Sequence, residues 1–161
     1  MPFPFTPNHV QLIAACYPPS ANLLTSGPEY RPNSQELSRL TYYASNRPGK
    51  INKLTGELER RVRVDCKKAQ AGNLRARAYV HSLVSVYSTL TWQVSSTLLI
   101  TLAIMKALAT ECRRDISLLA SSLLGSISIT LSSLPGDLEV AARAASVVGI
   151  KIKIRALFFL C

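Results

Sequence analysis

The sequence predicts an all-α fold with an irregular, proline-rich N-terminus. Seven of the nine prolines precede residue 33, so little beyond that point interrupts a helix. Past residue 33, apolar residues recur every three or four positions, which is the spacing of a helix with one buried side. The predicted helices are roughly 12 to 20 residues long and are joined by short turns, as in an α-solenoid of the HEAT or armadillo type.

Three regions follow from this pattern. Residues 1–32 form an irregular segment, 33–148 a helical repeat-like domain, and 149–161 a tail in which apolar and basic residues alternate. One short helix is predicted within the first region, at Asn8–Cys16. Asn8 would cap it, and its inward side chains would be Val10, Ile13 and Ala14.

The helical domain opens with a capping signal. Asn33 followed by Glu36 predicts a helix that begins there and ends near Ser45. Its inward residues would be Leu37, Leu40 and Ala44. Proline at position 48 disfavours a helical conformation at the preceding residue, so the helix is expected to break at 46–49.

The stretch from Pro48 to Gln70 predicts an amphipathic helix with one apolar and one cationic side. The helix is expected to end near Gly72 and Asn73. Its apolar stripe consists of Ile51, Leu54, Leu58, Val62, Cys66 and Ala69. The basic residues outside that stripe are Lys50, Lys53, Arg60, Arg61, Arg63, Lys67 and Lys68.

The charge of the chain is concentrated around this helix. Nineteen Lys and Arg against nine Asp and Glu give a net charge of +10. Twelve of the nineteen lie between Arg31 and Arg77. A basic patch of this kind indicates a solvated surface or an acidic partner. We expect acidic phospholipid, because no nucleic-acid motif is present and Tyr42 and Tyr43 are not interleaved with the cations.

Two long segments contain no charged residue, and both raise the question of a membrane span. Ala78–Met105 includes nine Ser or Thr, and Ile116–Leu134 includes eight, which favours buried helices over spans. In the second segment the expected inward stripe is Ile116, Leu119, Leu123, Ile127, Leu131 and Leu134. After a turn at Pro135–Asp137, the next helix would face inward through Leu138, Ala141, Ala145 and Val148.

No constellation of catalytic residues is recognisable, so we expect no enzyme activity, no cofactor and no metal site. His9 and His81 have no neighbours at metal-ligand spacing. Neither a glycine-rich phosphate loop nor a nucleophile elbow occurs. The four cysteines are widely separated, which favours a reducing compartment over a disulfide framework.

Several stretches resemble a known family. FTPNHVQLIAACYPP and PNSQELSRLTYYASNRPGKINKLTGELERRVRVD look like the N-terminus of a fungal member of the "eighty-five requiring" (Rolling blackout) family. LAIMKALATECRRDISLLASS and LSSLPGDLEVAARAASV are similar to the helical rod of the same family. Members are plasma-membrane scaffolds of type III phosphatidylinositol 4-kinase and are many hundreds of residues long. The chain would therefore be an N-terminal piece of such a rod.

The resemblance implies a rod held at the cytoplasmic face of the plasma membrane by a basic patch. Its partners would be the phosphatidylinositol 4-kinase and a tetratricopeptide adaptor. Carried over by position, the lipid-binding residues would be the seven cations named above, from Lys50 to Lys68, and Cys16 would be the one candidate for lipidation. Residues 76–100 and the tail after Val148 depart from the family's pattern.

Two alternatives remain open from the sequence alone. One is an integral membrane protein with one or two weak spans, at Ala78–Met105 and Ile116–Leu134, and with the basic region on the cytoplasmic side. The other is a basic helical protein that binds nucleic acid through phosphate contacts. Salt dependence, lipid competition and membrane extraction would separate these from a peripheral scaffold.

Overall fold

The computed structural model describes residues 8–18, 31–78, 84–134, 140–147 and 149, and every element with defined bounds in these ranges is helical. Short 3-10 turns at Pro48–Lys50 and Arg113–Asp115 precede two of the helices. Residues 140–147 are also helical. The α-helices are α1 (Asn8–Ala15), α2 (Ser34–Asn46), α3 (Ile51–Ala78), α4 (Val84–Glu111) and α5 (Ile116–Ser133).

These helices form two layers. In one layer α2 packs beside α4, and residues 142–146 lie across a cleft of about 360 Å³ from residues 102–106 of α4. In the other layer α3 packs along α5, while α3 also packs against α4. Stacking of consecutive helical pairs in this way buries a continuous apolar core between the layers.

The relative direction of α3 and α5 follows from their side-chain contacts. Ser122 Oγ donates to the Thr55 carbonyl oxygen at 3.3 Å near the start of both helices. Further along, burial raises the pKa of the Cys66 thiol, and the hydroxyls of Ser133 and Thr130 lie close enough to Cys66 to lower it in part. Both helices advance together along the contact, so α3 and α5 run parallel.

The end of the stack is covered by α1, which packs on α2 and α3. Asn33 N donates to the Cys16 carbonyl oxygen at 2.9 Å, which connects the segment after α1 to the start of α2. Asn33 also caps α2, because its side-chain oxygen accepts from the backbone N–H of Gln35 and Glu36. The prediction that Asn33 caps this helix is confirmed, whereas the Glu36 carboxylate accepts from Arg39 and not from the backbone N–H of Asn33.

The core confirms the apolar stripe predicted for α3, since all six of its members are buried. Leu40 and Ala44 of α2 are also buried, and Leu37 packs against the same core. In α5 the residues Leu119, Leu123 and Ile127 are buried as predicted. Ser96 and Thr101 of α4 are buried polar residues among these apolar neighbours.

Four local predictions were wrong. The predicted end of α3 near Gly72 fails because the helix continues to Ala78, and no described glycine has a positive φ angle. Ala14 is exposed, whereas Cys16 is buried at the end of α1. Leu131 of α5 is 43% exposed although it was placed in the inward stripe.

The fourth error concerns the helical segment 140–147. Its buried residues are Val140, Ala144 and Val147, whereas the predicted Ala145 is exposed. The inward side is therefore shifted by about one position, because alanine at 141, 142, 144 and 145 makes the periodic pattern ambiguous. The turn predicted at Pro135–Asp137, Leu138, Val148 and the tail 150–161 lie outside the described residues.

Candidate anion-binding surface

Three cations form a straight row along the outer side of α3. Lys53, Arg60 and Lys67 are spaced seven residues apart and are all exposed. A helix rises 1.5 Å per residue, so a spacing of seven residues repeats about every 10 Å on nearly the same side. We call these three residues the cationic row. They lie opposite the buried stripe, and their side chains therefore point away from the core.

The remaining predicted cations surround this row, with one exception. Lys50, Arg63 and Lys68 are exposed. Among the described residues Lys50, Lys53 and Lys67 form no ion pair, and Lys68 Nζ lies 3.9 Å from Asp65 Oδ1. The two lysines of the row and Lys50 thus present charges that no described carboxylate offsets directly.

Two glutamates hold the arginines of this surface. Arg60 donates to both carboxylate oxygens of Glu57 at 2.8 Å, in a bidentate pair. Arg63 Nη2 donates to Glu59 Oε1 at 2.6 Å. The hydrogen bond from Arg60 is the main reason why the pKa of Glu57 falls to about 2. The pKa of Glu59 is also lowered, chiefly by the hydrogen bond from Arg63.

These pairs reduce the net charge of the surface. The seven predicted cations face three nearby carboxylates, those of Glu57, Glu59 and Asp65, which leaves four net positive charges. Exposed ion pairs of this kind are individually weak, about 0–1 kcal/mol, so an anionic ligand can compete for the arginines. Lys50, Lys53 and Lys67 have no ion-pair partner among the described residues, so an anionic ligand need not displace a carboxylate to reach them.

Arg61 departs from the prediction that it faces a lipid surface. Its side chain is 23% exposed, and its Nε donates to Glu57 Oε1 at 3.0 Å. The guanidinium also lies over the ring of Tyr17, 5.1 Å from the ring centroid. The hydroxyl oxygen of Tyr17 is 2.6 Å from Thr101 Oγ1 of α4. Arg61 therefore helps to hold the segment after α1 against the body of the protein.

Cys16, the candidate for lipidation, is buried in the core. Its Sγ donates to the Leu12 carbonyl oxygen at 3.2 Å. Burial raises the pKa of the Cys16 thiol to about 11, so little thiolate forms near neutral pH. The geometry of the folded chain therefore argues against acylation at this position.

Sequence reasoning missed the part that α5 plays beside this surface. Ser122 Oγ donates to Glu59 Oε2 at 3.0 Å, so α5 contacts the edge of the cationic side of α3. Ser122 lies between Ser121 and Leu123, and nothing in this local sequence indicates a contact with α3. The pairing depends on the packing of two helices that are more than sixty residues apart in sequence.

The described residues were also compared with two other kinds of site, a metal site and a membrane span, by the arrangement of their side chains and the length of their helices. No group of three or more His, Cys, Asp or Glu side chains there is arranged to hold a metal ion. One helix among them, Arg113–Ser133, is long and apolar enough to cross a membrane by length and composition alone. Core helices of soluble proteins also meet that criterion.

Two layers of stacked helices with a cationic outer side define an α-solenoid protein with a basic surface. A solved structure described as "Crystal structure of Efr3" superimposes with a TM-score of 0.64 at 21% identity, covering 91% of this chain and 22% of that one. This likeness confirms the predicted all-α solenoid of the HEAT or armadillo type.

Relatives in sequence are named Protein EFR3. The one from Cryptococcus neoformans var. neoformans is 45% identical over 137 residues, 82% of this chain and 12% of the relative. The one from Mycosarcoma maydis is 40% identical over 145 residues, 86% of this chain and 12% of the relative. The chain belongs to the EFR3 family, which confirms the resemblance seen in the sequence.

The matches cover most of this chain but a small part of each relative. The chain spans 12% of the length of the relatives from Cryptococcus and Mycosarcoma. Any stretch that covers 82% of 161 residues includes residues 76–100, so the match extends across the segment that we expected to depart from the family's pattern. No protein-family model matches the chain.

Proposed function

We propose that this chain is the membrane-facing part of a plasma-membrane scaffold, and that the outer side of α3 adsorbs to acidic phospholipid at the cytoplasmic face. The observation that carries this proposal is the cationic row, whose members are exposed on one side of a helix that is anchored by its opposite side. Such a row places several charges in one plane, as a flat anionic surface requires.

The expected strength of adsorption is modest. Each Lys or Arg near an acidic leaflet contributes about 1 kcal/mol. Without Arg61, which lies over the ring of Tyr17, six cations and three carboxylates leave three net charges. These would contribute about 3 kcal/mol, a partition constant on the order of 10² M⁻¹. A surface of this strength binds reversibly and needs a second contribution for stable attachment.

In this role the chain would help to bring a phosphatidylinositol 4-kinase to the membrane. The family resemblance supports the kinase and a tetratricopeptide adaptor as partners. Their contacts would be made by surfaces other than the cationic row, because that row faces lipid. We assign no catalytic role to the chain.

Flotation with vesicles tests the lipid contact. The double variant Lys53→Ala, Lys67→Ala removes two charges that no described carboxylate offsets, so binding to vesicles with 30% phosphatidylserine should fall roughly 30-fold, about 2 kcal/mol. Raising the salt concentration should weaken the binding of the original chain in the same direction.

The matched control removes two charges from the other layer. Arg39 of α2 and Lys106 of α4 are exposed there, and the variant Arg39→Ala, Lys106→Ala has the same net charge as the test variant. Its vesicle binding should change less than threefold. Equal loss in both variants would refute a defined surface, and equal binding to vesicles of phosphatidylcholine alone would refute the electrostatic contact.

An integral membrane protein is the second candidate, because Arg113–Ser133 has the length and composition of a span. The folded geometry weighs against it. Ser122 on that helix donates to the Glu59 carboxylate, and Glu59 is paired with Arg63. A span within the bilayer would have to give up this contact or carry the ion pair into hydrocarbon, which is costly.

A further inference from the structure

The cleft between α4 and the helical segment 140–147 has the properties of a binding groove. We call it the α4 cleft, and its volume is about 360 Å³. Leu102 of α4 lines it and is buried. Ala103 of α4 and Ala142 of the facing helix have small side chains that leave the space between the helices open. The result is a concave, mainly apolar surface at the lower end of the size range of about 300–1,000 Å³ that is usual for binding pockets.

Two cations border this apolar surface. Lys106 lines the cleft from α4 and is exposed, and Arg143 lines it from the facing helix. Ser146 adds a hydroxyl, which donates to the Arg143 carbonyl oxygen at 2.8 Å. No Asp or Glu is among the described residues that line the cleft. Each wall therefore carries one positively charged side chain, and a complementary ligand would combine apolar groups with negative charge.

We propose that the α4 cleft binds a segment of a partner protein in which apolar residues are flanked by Asp or Glu. An apolar side chain of that segment would pack against Leu102, and its carboxylates would meet Lys106 and Arg143. Grooves between helices bind protein segments by this combination of an apolar anchor and a polar rim. The inference concerns α4 and residues 140–147, so it does not depend on the proposed contact of α3 with lipid.

Charge and shape favour such a segment over other occupants. Residues 150–161 of this chain include Lys151, Lys153 and Arg155 but no Asp or Glu, so the cations of the cleft would repel them. A second copy of the chain has a net charge of +10 and is disfavoured for the same reason. A bilayer is flat, whereas the cleft is concave, so an acidic leaflet could meet Lys106 without filling the apolar space.

Fluorescence anisotropy of labelled peptides with the whole chain tests the proposal. The probe peptide has the sequence EDLLDE. Two comparison peptides separate its properties, since KRLLRK reverses the charge and EDSSDE removes the apolar side chains. EDLLDE should bind saturably, and the other two should each bind weaker by about fivefold or more, because each lacks one complementary feature. Raising the salt concentration should weaken the binding of EDLLDE.

Two pairs of variants locate the binding site. Lys106→Glu should weaken the binding of EDLLDE about tenfold, because it places a carboxylate at the rim of the cleft. Its matched control is Arg114→Glu, the same change of charge at an exposed residue that does not line the cleft. Ala142→Phe should fill the cleft and weaken binding by about as much. Its control is Ala145→Phe, because Ala145 is exposed on the same helix and does not line the cleft.

Both controls should bind EDLLDE as the original chain does. All four substituted residues are exposed, so the fold should tolerate the changes, and circular dichroism verifies this. Equal losses in Lys106→Glu and Arg114→Glu would show that the peptide responds to net charge alone, which would refute a site at the cleft. Equal binding of EDSSDE and EDLLDE would refute the apolar contact.

Other occupants give different results. A concentration-dependent dimer that Ala142→Phe abolishes, with no binding of EDLLDE, would show that a second copy occupies the cleft and would refute the inference. Binding of oleate but not of EDLLDE would refute it in favour of an anionic amphiphile. Vesicle flotation separates these outcomes from the proposed function. Lys106→Glu should retain its binding to acidic vesicles, and failure of EDLLDE to bind while vesicle binding persists would refute this inference alone.

Discussion

At the scale of residues, two neighbouring arginines of α3, Arg60 and Arg61, have different environments. Arg60 is exposed, and among the described residues its guanidinium pairs with Glu57 alone. Arg61 shares that glutamate and also lies over the ring of Tyr17. A partly buried cation over an aromatic ring contributes about 0.5–2 kcal/mol, more than an exposed ion pair does. Arg61 is therefore a structural residue next to a surface residue.

This difference predicts unequal effects of two similar substitutions. Arg61→Ala should lower the free energy of unfolding by about 1–2 kcal/mol, because both the ion pair and the ring contact are lost. Arg60→Ala should lower it by less than about 1 kcal/mol. Urea unfolding followed by circular dichroism measures both. A larger loss for Arg60→Ala would contradict the assignment.

Glu57 makes the stability of the fold depend on pH in the acidic range. Its pKa is lowered from 4.5 to about 2, mainly by the hydrogen bond from Arg60. Because the folded protein binds this proton less readily than the unfolded chain, the contribution is complete above pH 4.5 and is lost as the pH falls toward 2.

We therefore expect the urea midpoint to fall between pH 4.5 and pH 2 by more in the original chain than in Glu57→Gln. Glu59 contributes in the same direction, since its pKa is also lowered. Asp65 acts oppositely, because burial raises its pKa. The same midpoint shift in Glu57→Gln as in the original chain would show that Glu57 is not a source of this dependence.

At the scale of elements, α3 is central because it packs against both α4 and α5, and it also contacts α1. Its buried side is apolar, and its outer side carries the cationic row. Gly56 interrupts the outer side between Lys53 and Arg60 and is exposed within the helix. A glycine in a helix interior costs roughly 0.5–1 kcal/mol relative to alanine.

Gly56→Ala should therefore stabilise the fold by about 0.5–1 kcal/mol, because a Cβ there meets no atom within 4 Å. Gly125→Ala in α5 tests a less open position, because the added Cβ would lie 3.9 Å from Glu59 Oε1, which is ordinary van der Waals contact. Thermal unfolding measures both. A destabilised Gly56→Ala would indicate that the outer side of α3 is less open than described.

At the scale of the whole molecule, α3 packs against α4 and α5 and leaves the cationic row exposed. A membrane that meets the exposed side of α3 would contact the charges of this row. The helix Arg113–Ser133 would then lie along the membrane and not across it.

Alkaline carbonate extraction of membranes from cells that express the chain should release it into the supernatant, because its proposed contacts with lipid are peripheral. High salt should also release the chain, because the proposed contact with lipid is electrostatic. A known single-span protein and a known peripheral protein serve as controls. Retention in the carbonate pellet together with the single-span control would support the integral alternative instead.

The sequence by itself determined the elements and the separation of charge from apolar residues. Helical periodicity, the Asn33 cap and the break before Pro48 are local properties, because each depends on residues within one or two turns. The stripe of α3 could be predicted for the same reason. Family membership was likewise readable, since short motifs persist in order along the chain.

Only the tertiary structure decided which of these residues remain available. Arg61 is turned inward by Tyr17, which lies 44 positions earlier in the sequence, and Cys16 is buried by packing that no local motif announces. The exposure of Leu131 and the contact of Ser122 with Glu59 depend on where α5 lies beside α3. Burial and ion pairing arise between distant segments, so local periodicity predicts a helix side but not what covers it.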